Sequence, residues 1–228
     1  MYPVGQAPQL LESFAKTVAL APDEFNVVGG VSVTSQGPRF QMLVCHCGDP
    51  RQGNDLLRPL RALNPQEDTV LTEPYLEANA TVNSAAPVSH FQTNLFVHEL
   101  SATVIATITA AAEVAPPNAR VFIVPIYGAV TRVALADTAF PLRRPGCELD
   151  IMARWDAQSD MDEAVLWVKA LRDKLRPIAR GAYVNQLGET GGELAQLAYG
   201  ANYPRLVAIK KKYDPKNVLQ SNQNIRPT

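Results

Sequence analysis

Apolar residues change their spacing from one segment of the chain to the next, and that spacing predicts the elements. Leu10, Leu11, Phe14 and Val18 fall three and four residues apart, so a helix with one buried face is predicted over 9–18, with Pro8 tolerated in its first turn. Ala21-Pro22-Asp23 closes it. Segments 26–34 and 40–47 are rich in Val, Phe and Leu and are parted by Ser35-Gln36-Gly37-Pro38, a turn composition, which predicts a hairpin. Leu56, Leu57 and Leu60 place a helix over 52–62, stopped by Asn64-Pro65, and the mixed pattern of 74–82 is worth a helical turn or two. A strand follows over 91–96. Ser101 caps a helix through Val114 that ends at Ala115-Pro116-Pro117. Strands are predicted over 120–126, over 130–134 across Tyr127-Gly128, and over 149–155. Ser159 caps a long helix through Leu175, with Asp162 three residues on in the manner of a capping box. A short strand over 182–186 precedes helices over 193–199 and 202–213, the second broken by Asp214-Pro215. Residues 217–228 are polar and have no period.

Strands joined by tight turns pair antiparallel, and helices inserted between them must cover the sheet. The predicted class is therefore α+β with a largely antiparallel sheet. There is no internal repeat, low-complexity linker or clear domain boundary.

Composition narrows the function classes. The chain has 228 residues, 46% of them apolar, enough for one sizeable core and against a disordered chain. A formal net charge of −1 supplies no basic excess for a nucleic acid or an anionic membrane surface. The longest apolar runs, Leu43–Cys45 and Val121–Val124, are far below the roughly 18 residues of a membrane span. Met1–Gln6 leads straight into the amphipathic helix and does not read as a secretory leader. Three cysteines cannot close a disulfide set, which points to a reducing compartment and a cytoplasmic protein.

Candidate chemistry is sparse. Cys45-His46-Cys47 suggests metal ligands, but alternation along a strand puts the thiols on one face and the imidazole on the other, and the paired spacing of a zinc site is absent. Two small core residues and a rim histidine are expected, and no metal. His90 and His98 flank a strand with no nucleophile-elbow serine or cysteine. Gly188-Glu189-Thr190-Gly191-Gly192 lacks the order and the lysine of a phosphate loop. Lys210-Lys211-Lys212 suits a helix C-terminus. Two features stand out. Tyr183 and Asn185 share a face of the predicted strand over 182–186, a polar wall of a pocket or an interface. The tail Ser221-Asn222-Gln223-Asn224-Ile225-Arg226-Pro227 is amide-rich and on composition alone is a loose end.

The tail belongs to a longer pattern. Tyr199-Gly200, Asn202-Tyr203-Pro204-Arg205-Leu206, Lys210-Lys211-Lys212-Tyr213-Asp214-Pro215-Lys216-Asn217 and Asn222-Gln223-Asn224-Ile225 resemble, nearly residue for residue, the C-terminal signature of the berberine bridge enzyme-like FAD-linked oxidoreductases. Gly181–Asn185 is similar to that family's Ala-Tyr-x-Asn strand. Thr138-Ala139-Phe140-Pro141-Leu142-Arg143 is similar to its Thr-Ala-Phe-Pro-His-Arg segment, and Gly48-Asp49-Pro50, Pro59-Leu60-Arg61 and Pro74-Tyr75 also fit.

The resemblance implies a substrate-binding domain over 1–180 and a berberine-like segment over 181–228, together lying against an FAD-binding domain that the chain itself lacks. It implies an FAD-dependent oxidation of a small organic substrate by hydride transfer, with the chain inactive alone. Tyr183 matches a tyrosine that faces flavin and substrate, and with Asp150 it is the expected catalytic pair; a phenol needs a neighbour or burial to act as a base. Asn185, Asn222 and Asn224 match polar residues near the flavin. Leu142 stands where the family usually has His, Asn79 and Asn83 stand near positions often held by Gln and Asp, and Gln186-Leu187-Gly188 lacks a usual aspartate; these departures bear on the substrate. The other readings are a non-catalytic binding or subunit module, a remnant or a partner of a separate flavin domain, and a flavin-free lyase or cyclase.

Overall fold

The computed structural model describes residues 1–34, 36–81, 88–156, 160–189 and 192–227. Their frame is a six-stranded sheet, antiparallel at every pairing, in the order β1-β3-β2-β5-β6-β4. The strands are β1 (Tyr2–Pro3), β2 (Phe25–Thr34), β3 (Gly37–His46), β4 (Ser89–Val97), β5 (Arg120–Ile126) and β6 (Gly146–Trp155). The α+β expectation holds.

Helices α1 (Ala7–Leu20), α4 (Ala102–Glu113) and α5 (Met161–Leu175) cover one face; α2 (Pro50–Arg61) packs beside α1, and α3 (Tyr75–Thr81) precedes β4. The core lies between those helices and the sheet. Leu10 and Phe14 of α1, Val104 and Ile108 of α4, and Val168 and Leu171 of α5 meet Val27, Val31, Val121, Ile123, Leu149 and Ile151. These positions follow the predicted helical and alternating periods. Asp49 caps α2 by accepting from the Arg51 N–H at 2.8 Å, and Ser101 caps α4 through the Val104 N–H. Trp167 of α5 donates its indole N–H to the Ala111 carbonyl at 3.0 Å, locking α5 to α4. The predicted Ser159 cap lies outside the described residues.

Two predicted strands are absent. Residues 130–134 give no strand; Gly128–Arg132 winds a 3-10 turn instead. Gly128 has φ +67°, and a Cβ there would sit 2.9 Å from Asp23 Oδ1, so glycine starts the turn while Arg132 forks onto Asp23. At 182–186 the chain makes one bridge, Gly181 to Phe96, and then coils into a 3-10 turn over Val184–Gln186. The Asn94 side chain causes this departure. Its Oδ1 takes the Tyr183 N–H at 2.9 Å, lifting the segment off β4 after one rung.

The C-terminal region adds α6 (Gly192–Tyr199) and α7 (Tyr203–Tyr213) over a small separate cluster of Ala182, Leu187 and Ala198. The buried Asn202 amide donates to the carbonyls of Leu135 (3.0 Å) and Thr138 (3.1 Å), and Arg205 donates to Ala136. Arg143 reaches back to Val130 and Thr138. Several signature residues are thus clamps that hold 130–143 against the last two helices. Leu142, the departure from the family histidine, is buried against Gly181.

The cysteine expectation needs correcting. Cys45 and Cys47 are exposed, with sulfurs 3.7 Å apart, because β3 turns Met42, Val44 and His46 toward the helix side and Leu43 and Cys45 away from it. Only Cys147 is a core thiol, and burial pushes it up to about 12. His46 does take the opposite face, half-buried beside Phe25. Among the described residues no three His, Cys, Asp or Glu side chains converge as metal ligands, and no helix is long and apolar enough to cross a membrane.

Candidate functional site

The face of the sheet turned away from α1, α4 and α5 is polar where β5, β6 and β4 lie side by side. Pairing sets Phe122 opposite Asp150, Asp150 opposite Asn94, Arg120 opposite Met152, Met152 opposite Gln92, and Arg154 opposite His90. Glu148 lies two residues before Asp150 on the same face. Beyond β4 sits the segment from Gly181 to Gly188, held by the Asn94–Tyr183 bond, by Gln92 Nε2 donating to Gln186 Oε1 at 2.7 Å, and by the Gly188 N–H donating to the Gln92 carbonyl at 3.0 Å.

Unpaired polar atoms concentrate here. Asp150 Oδ1, Asn94 Nδ2, Arg120 Nε and Arg154 Nε are buried without a well-formed hydrogen bond among the described residues. Buried polar atoms are ordinarily satisfied, so such a cluster marks a surface that expects something against it. The sequence reading missed its most perturbed member. Glu148 is 7% exposed, and burial, with the neighbouring Asp150 charge adding to it, pushes its carboxyl up to about 7 against a weaker pull from the Asn94 amide. Burial also raises Asp150, opposed by the charges of Arg120 and His90. The missed signal was available: once Asp150 is placed on an exposed strand face, parity puts Glu148 beside it.

The expected catalytic pair is divided. Tyr183 and Asn185 do meet, Asn185 Nδ2 donating to the Tyr183 hydroxyl at 2.8 Å, across the 3-10 turn rather than along a strand. The phenol ring stands edge-on to Phe140 at 5.9 Å and lines a cavity of about 300 Å³ with Pro141, Ala182 and Tyr199. Asp150 reaches this region only through Asn94, whose backbone it opposes in the sheet and whose amide holds the Tyr183 backbone. Among the described residues no hydrogen bond joins Asp150 to the phenol.

The tail is ordered by its own bonds. Asp214 accepts from the Val218 and Leu219 N–H groups at 2.8 and 2.9 Å, and Gln223 Nε2 donates to the Leu187 and Glu189 carbonyls at 2.9 and 2.7 Å. The tail therefore lies against the loop that borders β4. Asn224 is spent on Asn217 at 3.1 Å, while Asn222 is exposed. Gln223, the residue between the two predicted asparagines, is the anchor.

The family model described as "Berberine and berberine like" matches residues 182–226. An uncharacterised FAD-linked oxidoreductase of Bacillus subtilis, YgaK, is 32% identical over 195 residues, covering 83% of this chain and 43% of its own. The fold matches that of 6-hydroxy-D-nicotine oxidase from Arthrobacter nicotinovorans with a TM-score of 0.81 at 19% identity, over all of this chain and 53% of that one. It matches berberine bridge enzyme from Eschscholzia californica equally well, at 0.81 and 17% identity, again over all of this chain and 53% of that one. The chain spans about half the length of these proteins. Its C-terminal segment matches the berberine-like family model, its sequence is similar to FAD-linked oxidoreductases, and its fold is that of the corresponding half of berberine bridge enzyme.

Proposed function

We propose that this chain is the substrate-binding and C-terminal part of an FAD-dependent oxidoreductase, with its polar sheet face as the floor of the active site. Residues 1–180 form the substrate domain, and 181–228 complete it with the segment that meets an FAD domain. The observation that carries this reading is the pairing of Glu148 and Asp150, two perturbed carboxyls side by side on the sheet face opposite the helices, among buried polar atoms with no partner among the described residues.

The residues present fit the edge of a flavin rather than its whole. An isoalloxazine offers both donors and acceptors, and Asn222 and Asn185 are exposed amides that answer either. No phosphate-cradling loop is found among the described residues, so the rest of the cofactor would be held by another domain. When bound, FAD supplies a two-electron acceptor for a hydride from the substrate. This chain's share is orientation and proton handling. Glu148, whose carboxyl burial pushes up to about 7, is ionised in part at neutral pH, and in that form its carboxylate accepts the substrate proton and becomes the neutral acid. Asn94 fixes the Tyr183 backbone, so the phenol and its Asn185 partner stand at the border of the site as the second expected proton-handling group.

The experiment is co-purification of the chain with flavin-domain proteins, read in the flavin absorbance bands. A stoichiometric yellow complex is expected, bleached by a substrate of the complex and not bleached when Glu148→Gln replaces the native chain. The chain alone is expected to be colourless and inert. A yellow, active chain without another polypeptide overturns the division of labour. Failure to bind any flavoprotein favours the non-catalytic module.

A further inference from the structure

Two arginines on the sheet face share one nearby carboxylate, Asp150, and among the described residues neither closes an ion pair. Arg120 on β5 and Arg154 on β6 are half-buried and project from the same face, Met152 lying directly opposite Arg120 and two residues before Arg154 on β6. Their Nε atoms are buried and unbonded, and among the described residues no ion pair reaches either guanidinium. They also act on one another: burial lowers the Arg120 pKa, the Arg154 charge lowers it further, and Asp150 opposes. Asp150 nevertheless keeps its Oδ1 unbonded rather than closing on either cation. Arg120 is not a loose side chain, because its guanidinium stacks on the Phe122 ring at 4.8 Å from the centroid, which aims its fork.

The charges on this face do not cancel. Two guanidiniums stand against one aspartate and a glutamate that is half-neutral at pH 7. In open solvent water serves them. Under a second domain, as the proposed function requires, two cations with one partner are costly unless an anion arrives with the cover. Phe122 and Met152 beside them offer an apolar floor for the body of such a ligand.

We propose that Arg120 and Arg154 together seat a carboxylate of the substrate, so that this protein acts on organic acids carrying an apolar or aromatic body rather than on neutral or cationic molecules. The inference rests on the reading of this face as the substrate floor, and it concerns two residues that the proton-handling groups do not include.

Benzoate and its neutral counterpart benzamide are the probes, titrated into the full chain and followed by the arginine Nε–H resonances. Benzoate is expected to bind at least about tenfold more tightly than benzamide and to move both signals. Arg120→Gln and Arg154→Gln should each bring benzoate down to the benzamide level while leaving benzamide binding and the unfolding midpoint unchanged. Arg120→Lys, which keeps the charge but loses the fork, should recover part of the preference. Equal binding of the two probes, or a benzoate preference that survives both Gln variants, overturns the proposal. In the assembled flavoprotein benzoate should still bind and perturb the flavin absorbance. Its exclusion on assembly would mean that an acidic side chain of the covering domain takes the place, and that also overturns it. The outcomes separate from those of the functional reading: a carboxylate preference without a flavoprotein partner sinks the oxidoreductase alone, and a flavoprotein without the preference sinks the acid site alone.

Discussion

Strand β6 carries two different proteins on its two faces. Leu149, Ile151 and Ala153 are wholly buried beneath α5, in contact with aliphatic neighbours. Glu148, Asp150 and Arg154, one position out of step, carry raised carboxyls or an unbonded guanidinium nitrogen. The backbone and hydrogen bonding are shared, so the contrast isolates what the side chains are for. One face is packed for stability; the other buries polar and charged atoms that have no partner among the described residues, at a cost to stability, as surfaces that bind and react commonly do.

Adjacent substitutions should break that contrast most plainly. Leu149→Ala removes a fully buried side chain between the sheet and its helices, and a loss of about 2–5 kcal/mol is expected in denaturant unfolding. Asp150→Ala, one residue on and facing the other way, should leave stability unchanged or raise it. Equal losses at both positions would mean that the open face is packed and not a site.

The second test uses pH. Glu148 has a folded pKa of about 7 against an ordinary value of 4.5. Between those values the native state holds more protons than the unfolded state, so this residue lowers stability as pH rises from about 4.5 to about 7, with no further change above. Glu148→Gln should remove that slope and stabilise the protein at pH 8 by ~3 kcal/mol, with little effect near pH 4. Unfolding midpoints across that range decide it. A slope that persists in the variant would place the perturbed carboxyl elsewhere.

The same strand shows how much could be read in advance. The covered face was legible because burial against helices imposes a period on the sequence, and α1, α4 and the strand alternation follow it. The two lost strands were not legible, because their causes lie outside the segments. Gly128 turns the chain against Asp23, more than a hundred residues away, and the Asn94 side chain takes the rung that would have extended the pairing at 182–186. The site was legible in part. Spacing predicts that Tyr183 and Asn185 share a face, and the two side chains do touch, yet the resemblance implies Asp150 without Glu148, since residue type alone does not reveal which of two neighbouring carboxyls is desolvated. Cys45 and Cys47 were assigned to the core because the strand was right but its covered side was not known.

The smallest effect concerns the tail, which composition presents as loose and the structure ties down. Its hold on the rest of the chain runs through Gln223, whose single amide serves two carbonyls of the loop beside β4. Asp214 and Asn217 order the turn locally and would survive its loss. Gln223→Ala should therefore cost about 1 kcal/mol of global stability, the scale of one such hydrogen-bonding group. It should release the amide protons of 219–226 to faster exchange while those of β4 and β6 stay protected. If instead the tail's protection is unchanged, the amide is not the anchor, and the half-buried Ile225 becomes the candidate. The berberine-like segment would then hold its place in the same way as the covered face does, by packing, and the division between a packed half and a hydrogen-bonded rim would have to be redrawn at the C-terminus.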